Sequence, residues 1–167
     1  MSGPWSSVVG MQATRDTAND LLTGIAGEGA RLRDDQWTAI DALVNHRKRM
    51  LVVQRTGWGK SAVYFIAAKL LRQAGRGPSL IISPLLALMR NQVAAAQGAG
   101  IRAVTLNSAN MTEWEEIQAS VIGGDVDVLL ISPERLNNPG FRDEVLPHIA
   151  RAVGMVVVDE AHCISDW

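Results

Sequence analysis

The chain has 167 residues, 47% of them apolar and 20% charged, which suits one folded domain and excludes a disordered or low-complexity polypeptide. Sixteen Lys and Arg against seventeen Asp and Glu give a net charge of −1, so no global field draws the chain to nucleic acid, and any such binding has to come from local geometry. Its one cysteine, Cys163, excludes an internal disulfide and a cysteine-based zinc site within the chain, while the lack of a membrane-length apolar run or a signal peptide points to the cytoplasm.

In chain order, Met1 to Gly10 reads as a loose tail, followed by a short amphipathic helix, Asp16 to Ile25, that stops at the glycines of GEGA. These make up a leading segment, 1–28, ahead of a main domain, 29–167. Helical patterns are predicted near 35–46, 61–73, 85–97, 112–122 and 141–150. Apolar strand-like runs fall near 50–53, 79–82, 102–105, 126–131 and 153–158. Glycine-rich turns at 75–78, 98–100 and 123–125 punctuate them, and no internal repeat is visible. Strands alternating with helices predict a three-layer α/β domain with a mostly parallel sheet covered on both faces.

Two places in this scheme carry chemistry. After the apolar run Met50 to Val53, residues Gln54 to Ser61 (QRTGWGKS) open a helix, and strand, loop and helix is the context a phosphate-binding loop needs. Gly57 and Gly59 let the backbone turn its N–H groups inward, and the helix N-terminus adds partial positive charge. Lys60 would reach the β- and γ-phosphates of a nucleoside triphosphate, and Ser61 would hold its Mg²⁺. Gln54 stands where the usual pattern begins with glycine.

About 100 residues later a second apolar run, Met155 to Val158, delivers Asp159 and Glu160 to the carboxyl end of a strand, where parallel α/β sheets bind ligands. Asp159 is the candidate to bind the metal through water, and Glu160 to orient and deprotonate an attacking water. Ser-Pro pairs at Ser83-Pro84 and Ser132-Pro133 each follow an apolar run. Each can stop a strand and begin a helix with exposed N–H groups, which suits backbone phosphates and carries no base code. Arg90 and Arg135 lie within those stretches.

Ala161 and His162 complete D-E-A-H, and here the sequence resembles the superfamily 2 helicases, among them the RecQ-like DNA helicases. Leu32 to Ile40 (LRDDQWTAI) is similar to the adenine-reading motif, with Gln36 in the place of the base-reading glutamine and Arg33 beside it. Ser83 to Val93 resembles motif Ia, Leu106 to Ser108 (LNS) a family-typical turn, and Ile131 to Leu136 (ISPERL) motif Ib. HCISDW, ending at Trp167, leads in RecQ-like proteins into an aromatic-rich loop linking DNA binding to hydrolysis. The resemblance covers residues 30 to 167 and departs in two respects: Ala26 to Arg31 offers no aromatic residue to stack on the base, and the family's motif III and all that follows it would lie beyond Trp167.

The resemblance implies a RecA-like ATP-binding domain of an ATP- and Mg²⁺-dependent DNA helicase with 3′→5′ movement, acting on single-stranded or forked DNA in repair and recombination. Lys60, Asp159, Glu160 and His162 would be its catalytic residues. Arg33, Gln36, Thr56, Gly57, Gly59, Lys60 and Ser61 would hold the nucleotide. Ser83, Pro84, Arg90, Asn107, Ser132, Arg135 and Trp167 would meet DNA. It also implies motif III and a second RecA-like domain beyond residue 167, so that a chain ending there is a piece of the motor and inactive alone. A strand carrying motif III would lie between the phosphate-loop strand and the D-E-A-H strand, and without it those two would stand apart or the sheet would repack. An RNA motor of the same superfamily and a short non-catalytic nucleotide-binding protein are the alternative readings.

Overall fold

The computed structural model describes residues 12–87, 89–106 and 114–166. They form α1 (Arg15–Ala26), α2 (Asp34–Val44), α3 (Lys60–Gln73), β1 (Ser79–Ile82), α4 (Arg90–Gly98), β2 (Ala103–Leu106), α5 (Trp114–Ile122), β3 (Val128–Ile131), the single turn α6 (Pro133–Leu136), α7 (Leu146–Ala152) and β4 (Met155–Val158). The tail read over Met1 to Gly10 falls outside the described residues.

The four strands pair in the order β2-β3-β1-β4, all parallel, with Ser79 opposite both Val128 and Met155, and Ala103 opposite Val128. Side chains alternate across such a sheet. Ile81, Val128 and Leu130 face Tyr64, Phe65 and Ala68 of α3 and Ala96 of α4. Leu80, Ile82, Leu129 and Ile131 face Val121 of α5, Phe141 and Ile149 of α7. The expected three-layer parallel α/β architecture is therefore present.

Helix α3 is apolar nearly all round because it is covered twice: its other side, Val63, Ile66 and Leu70, packs on Ala18 and Leu22 of α1 and on Ala39 and Ile40 of α2. Helix α1 starts at a Thr14–Thr17 capping box and stops at Gly27, whose φ of 96° is left-handed. It is tied to the chain ahead of α2 by Arg15 donating to the Leu32 carbonyl at 2.7 Å and by Asn19 accepting from the Leu32 N–H at 2.9 Å. The leading helix thus shares the core of the main domain.

Three expectations need correction. Residues 50–53 do not enter the sheet: β4 is its edge strand, and the phosphate-loop segment runs opposite β4 across an open cleft. No strand among the described residues pairs with it, and Leu51 and Val53 are left 83% and 80% exposed. Separation of these two segments is one of the two arrangements anticipated above. The helix read from residue 85 starts at Arg90, since the Ser83 hydroxyl accepts the Leu85 N–H at 3.3 Å and holds 84–87 as turns. The helix read near 141–150 opens as a wide π-type turn, Phe141–Val145, in which the Leu146 N–H reaches back to the Phe141 carbonyl. Pro147, next in line, has no N–H with which to close an ordinary turn.

At the amino ends of the strands, away from the cleft, Asp127 is fully buried. Its carboxylate accepts from Lys69 at 3.0 Å, Arg102 at 2.9 Å and Arg72 at 3.4 Å, and from the Arg102 backbone N–H at 3.0 Å. Burial would raise its pKa, but the Arg102 hydrogen bonds and the Lys69 charge overcome this and hold it at about 2.

Candidate active site

Helix α3 begins on the loop, with Gly59 as its N-cap at φ 91° and Gly57 at φ 80°. Both angles are left-handed, which side-chain-bearing residues rarely adopt. Gly59 has a second reason to lack a side chain: a Cβ there would lie 2.9 Å from the Gln36 amide nitrogen. Thr56 and Gly57 are exposed, and Lys60 and Ser61, in the first turn of α3, are half-buried. The Lys60 ammonium donates to the Gln54 carbonyl at 3.1 Å, spanning the mouth of the loop.

Opposite stands the carboxyl end of β4. Asp159 is fixed by its own backbone N–H bonding to the Ile82 carbonyl at 2.9 Å. Its carboxylate accepts the Glu160 N–H at 3.1 Å and faces the Ser83 hydroxyl at 3.5 Å. Burial first, and then the charge of Glu160, push the Asp159 pKa above the ordinary carboxylate value. Glu160 takes φ 51°, a left-handed conformation that costs a non-glycine residue about 1–2 kcal/mol, and its carboxylate lies 3.3 Å from Nδ1 of His162. Backbone strain of this kind concentrates at functional sites.

Tyr64, one turn into α3, joins the two halves. Burial, and after it the neighbouring Asp159 carboxylate, raise its pKa well above the ordinary phenol value, so it keeps its proton and is available as a donor. Loop and carboxylates thus border one cleft of about 360 Å³, whose lining includes Gln54, Lys60, Tyr64, Asp159, Glu160 and His162. A phosphate chain entering it would meet the α3 N-terminus and Lys60 on one wall and two carboxylates on the other. No group of three or more His, Cys, Asp or Glu able to cage a metal occurs among the described residues. Ser61 and Asp159 offer one hydroxyl and one carboxylate, a sparse set that would fit a hard cation drawing most of its ligands from elsewhere.

The residues assigned to the base are engaged with protein. Gln36 is 5% exposed; its carboxamide oxygen accepts the Arg33 N–H at 3.0 Å and its nitrogen donates to the Trp58 carbonyl at 2.8 Å. One N–H and one lone pair remain for a ligand. The Arg33 guanidinium also donates to the Trp58 carbonyl and lies over the Trp58 ring, 5.4 Å from its centroid.

The residues assigned to DNA are scattered. Ser83 is buried beside Asp159, and Pro84 is half-buried behind it. Arg90 is exposed at the start of α4. Ser132 is the N-cap of α6 without a side-chain bond, and Pro133 occupies its first turn. Arg135 is 5% exposed, its guanidinium stacked 3.8 Å from the Trp114 ring centroid. Asn107 and Trp167 lie outside the described residues.

Sequence reasoning missed two features here. Trp58 is 7% exposed and its indole N–H donates to Asp35 at 2.8 Å, so the loop is bonded to the start of α2. An indole in an otherwise polar loop, with acids at the start of the preceding helix, was the available signal. The stacking of Arg135 on Trp114 was missed as well, since nothing in the spacing of the two residues announces it.

A profile of the DEAD/DEAH box helicase family matches residues 33–167. The chain is similar to the ATP-dependent DNA helicase RecQ of Pasteurella multocida, 37% identical over 154 residues that make up 92% of this chain and 23% of that protein. The protein of the same name from Bacillus subtilis is 36% identical over 140 residues, 82% of this chain and 22% of the relative. The ATP-dependent DNA helicase Q-like 5 of Arabidopsis thaliana is 34% identical over 156 residues, 93% of this chain and 16% of its own length. The chain spans less than a quarter of the length of these relatives.

Proposed function

Because the chain belongs to the DEAD/DEAH box helicase family, we propose that it is the ATP-binding RecA-like domain of a RecQ-like DNA helicase, which couples ATP hydrolysis to 3′→5′ movement on single-stranded or forked DNA. The observation that carries this reading is the convergence of Lys60 and the α3 N-terminus with Asp159 and Glu160 on one cleft. Lys60 leaves the Gln54 carbonyl for the terminal phosphates, and the N–H groups at the head of α3 take the phosphate oxygens. Ser61 and Asp159 would hold the Mg²⁺, which when bound neutralises charge building on those oxygens. Glu160, held beside His162, orients the attacking water and takes its proton.

In this reading DNA crosses the carboxyl edge of the sheet, and a second RecA-like domain supplies the arginine that completes phosphate transfer. Work in the cytoplasm on DNA repair and recombination belongs to the same proposal. The relatives are named as DNA helicases, which favours DNA over RNA as the track.

The test separates Glu160 from the rest. Glu160→Gln keeps the shape and hydrogen bonding of the side chain but removes the base. In a protein carrying this chain with its second motor domain, ATP and DNA binding should persist while hydrolysis falls about 10²- to 10⁴-fold. Phosphate release near the wild-type rate would place the base elsewhere. A protein limited to these 167 residues should release no phosphate in response to single-stranded DNA, since an arginine finger from the other domain contributes on the order of 10³ to 10⁵ in rate. Brisk DNA-stimulated turnover by the short chain would contradict the two-domain reading.

A further inference from the structure

The contacts of Trp58 converge on the first turn of α2, one turn of chain that carries the residues assigned to the base. Its indole N–H donates to Oδ2 of Asp35 at 2.8 Å, while Oδ1 of the same carboxylate accepts the Gln36 N–H at 2.9 Å. Its backbone carbonyl receives the Gln36 amide at 2.8 Å and the Arg33 guanidinium, and that guanidinium also covers its ring. Gly59 leaves the space in which Gln36 reaches the loop. Side chain and main chain of one loop residue are thus both fastened to the same helix start.

We propose that Trp58 is a positioning residue that latches the phosphate loop to the base-reading turn, so that base and phosphates are recognised at a fixed separation. This rests on the nucleotide-binding reading above. When two halves of a ligand bind two parts of a protein, the second half gains an effective concentration set by how firmly those parts are held together. With the latch closed, a base docked on α2 presents its triphosphate to a loop already in place. With the latch open, each half still binds, but the gain from being joined shrinks. Trp58 therefore sets how much a nucleotide outcompetes phosphate that lacks a base.

The experiment measures dissociation constants by calorimetry for Mg²⁺-ATP and for Mg²⁺-tripolyphosphate, which carries the phosphates alone, in the protein that carries this chain. Trp58→Phe keeps a ring under Arg33 and removes the indole donor. Asp35→Asn weakens the same bond from the other side, because it removes the carboxylate's charge and leaves one amide oxygen for two donors. Either variant should bind ATP about tenfold more weakly, the equivalent of one charge-assisted hydrogen bond, and bind tripolyphosphate within about twofold of wild type. Thermal melts check the fold, and if Trp58→Phe does not fold, Asp35→Asn carries the test. Equal losses for both ligands would mean that Trp58 only shapes the loop, and no loss for either would mean that the latch is idle; both results overturn the proposal. Wild-type ATP binding that vanishes in Lys60→Ala establishes the underlying site independently. Should the wild type bind no ATP, that reading falls and the latch with it.

Discussion

Replacing Lys60 with alanine should lower ATP hydrolysis at least about a hundredfold and abolish unwinding in a protein that carries this chain with its second motor domain. Among the described residues that line the cleft, Lys60 is the one Lys or Arg, so no other lining side chain carries the charge that its loss removes. Its ammonium now sits on the Gln54 carbonyl, a neutral acceptor that a phosphate oxygen would displace. Charge aimed at a transferring phosphoryl group inside a cleft contributes about 3–4 kcal/mol, which is about a hundredfold or more in rate. Steady-state phosphate release with saturating single-stranded DNA gives the answer. A variant that still hydrolyses ATP at a tenth of the wild-type rate or better would show that the loop has been misassigned.

Asp127→Ala should destabilise the fold by about 3–5 kcal/mol, a melting temperature lower by roughly 10 °C, with no direct effect on the cleft. The loss is large because the substitution strands Lys69, Arg72 and Arg102 around a buried void. The pH dependence has a definite sign. Asp127 titrates at about 2 in the fold against an ordinary 3.8, so its contribution is fully present above the ordinary value and is lost as pH falls towards 2. The shift corresponds to about 2 kcal/mol, and roughly half of it should be gone by pH 3. Melting wild type and Asp127→Ala side by side from pH 7 to pH 3 should show the gap between them narrowing. A gap that stays constant would mean that the carboxylate is not held in its charged form by these three cations.

The two predictions differ in how visible their residues were beforehand. Lys60, Ser61, Asp159 and Glu160 could be read directly because each is fixed by its immediate sequence. Glycines place the first pair at a helix start, and an apolar strand carries the second pair to the sheet's edge. Asp127 was passed over, although an acid between two valines at the head of a buried strand must find cations. Lys69 and Arg72, three apart on an otherwise apolar helix, were the matching signal. What sequence could not give was long-range pairing: the Trp58–Asp35 bond spans 23 residues and the ion pair from Arg72 to Asp127 spans 55. The strand expected at 50–53 failed for a related reason. Its composition is strand-like, but a strand exists only where a neighbour accepts its hydrogen bonds, and that depends on the rest of the fold.

The unpaired side of β4 bears on how the protein behaves in a tube. An edge strand offers a row of free backbone donors and acceptors, and here it carries Val156 and Val158 without a charged or proline residue between them. Facing it across the cleft, Leu51 and Val53 add apolar surface of the kind that nucleates aggregation. Poor yields or concentration-dependent precipitation of the 167-residue protein would have a local origin there, and a lysine in place of Val156 is the gatekeeper change to try first, at the cost of a second cation in the cleft.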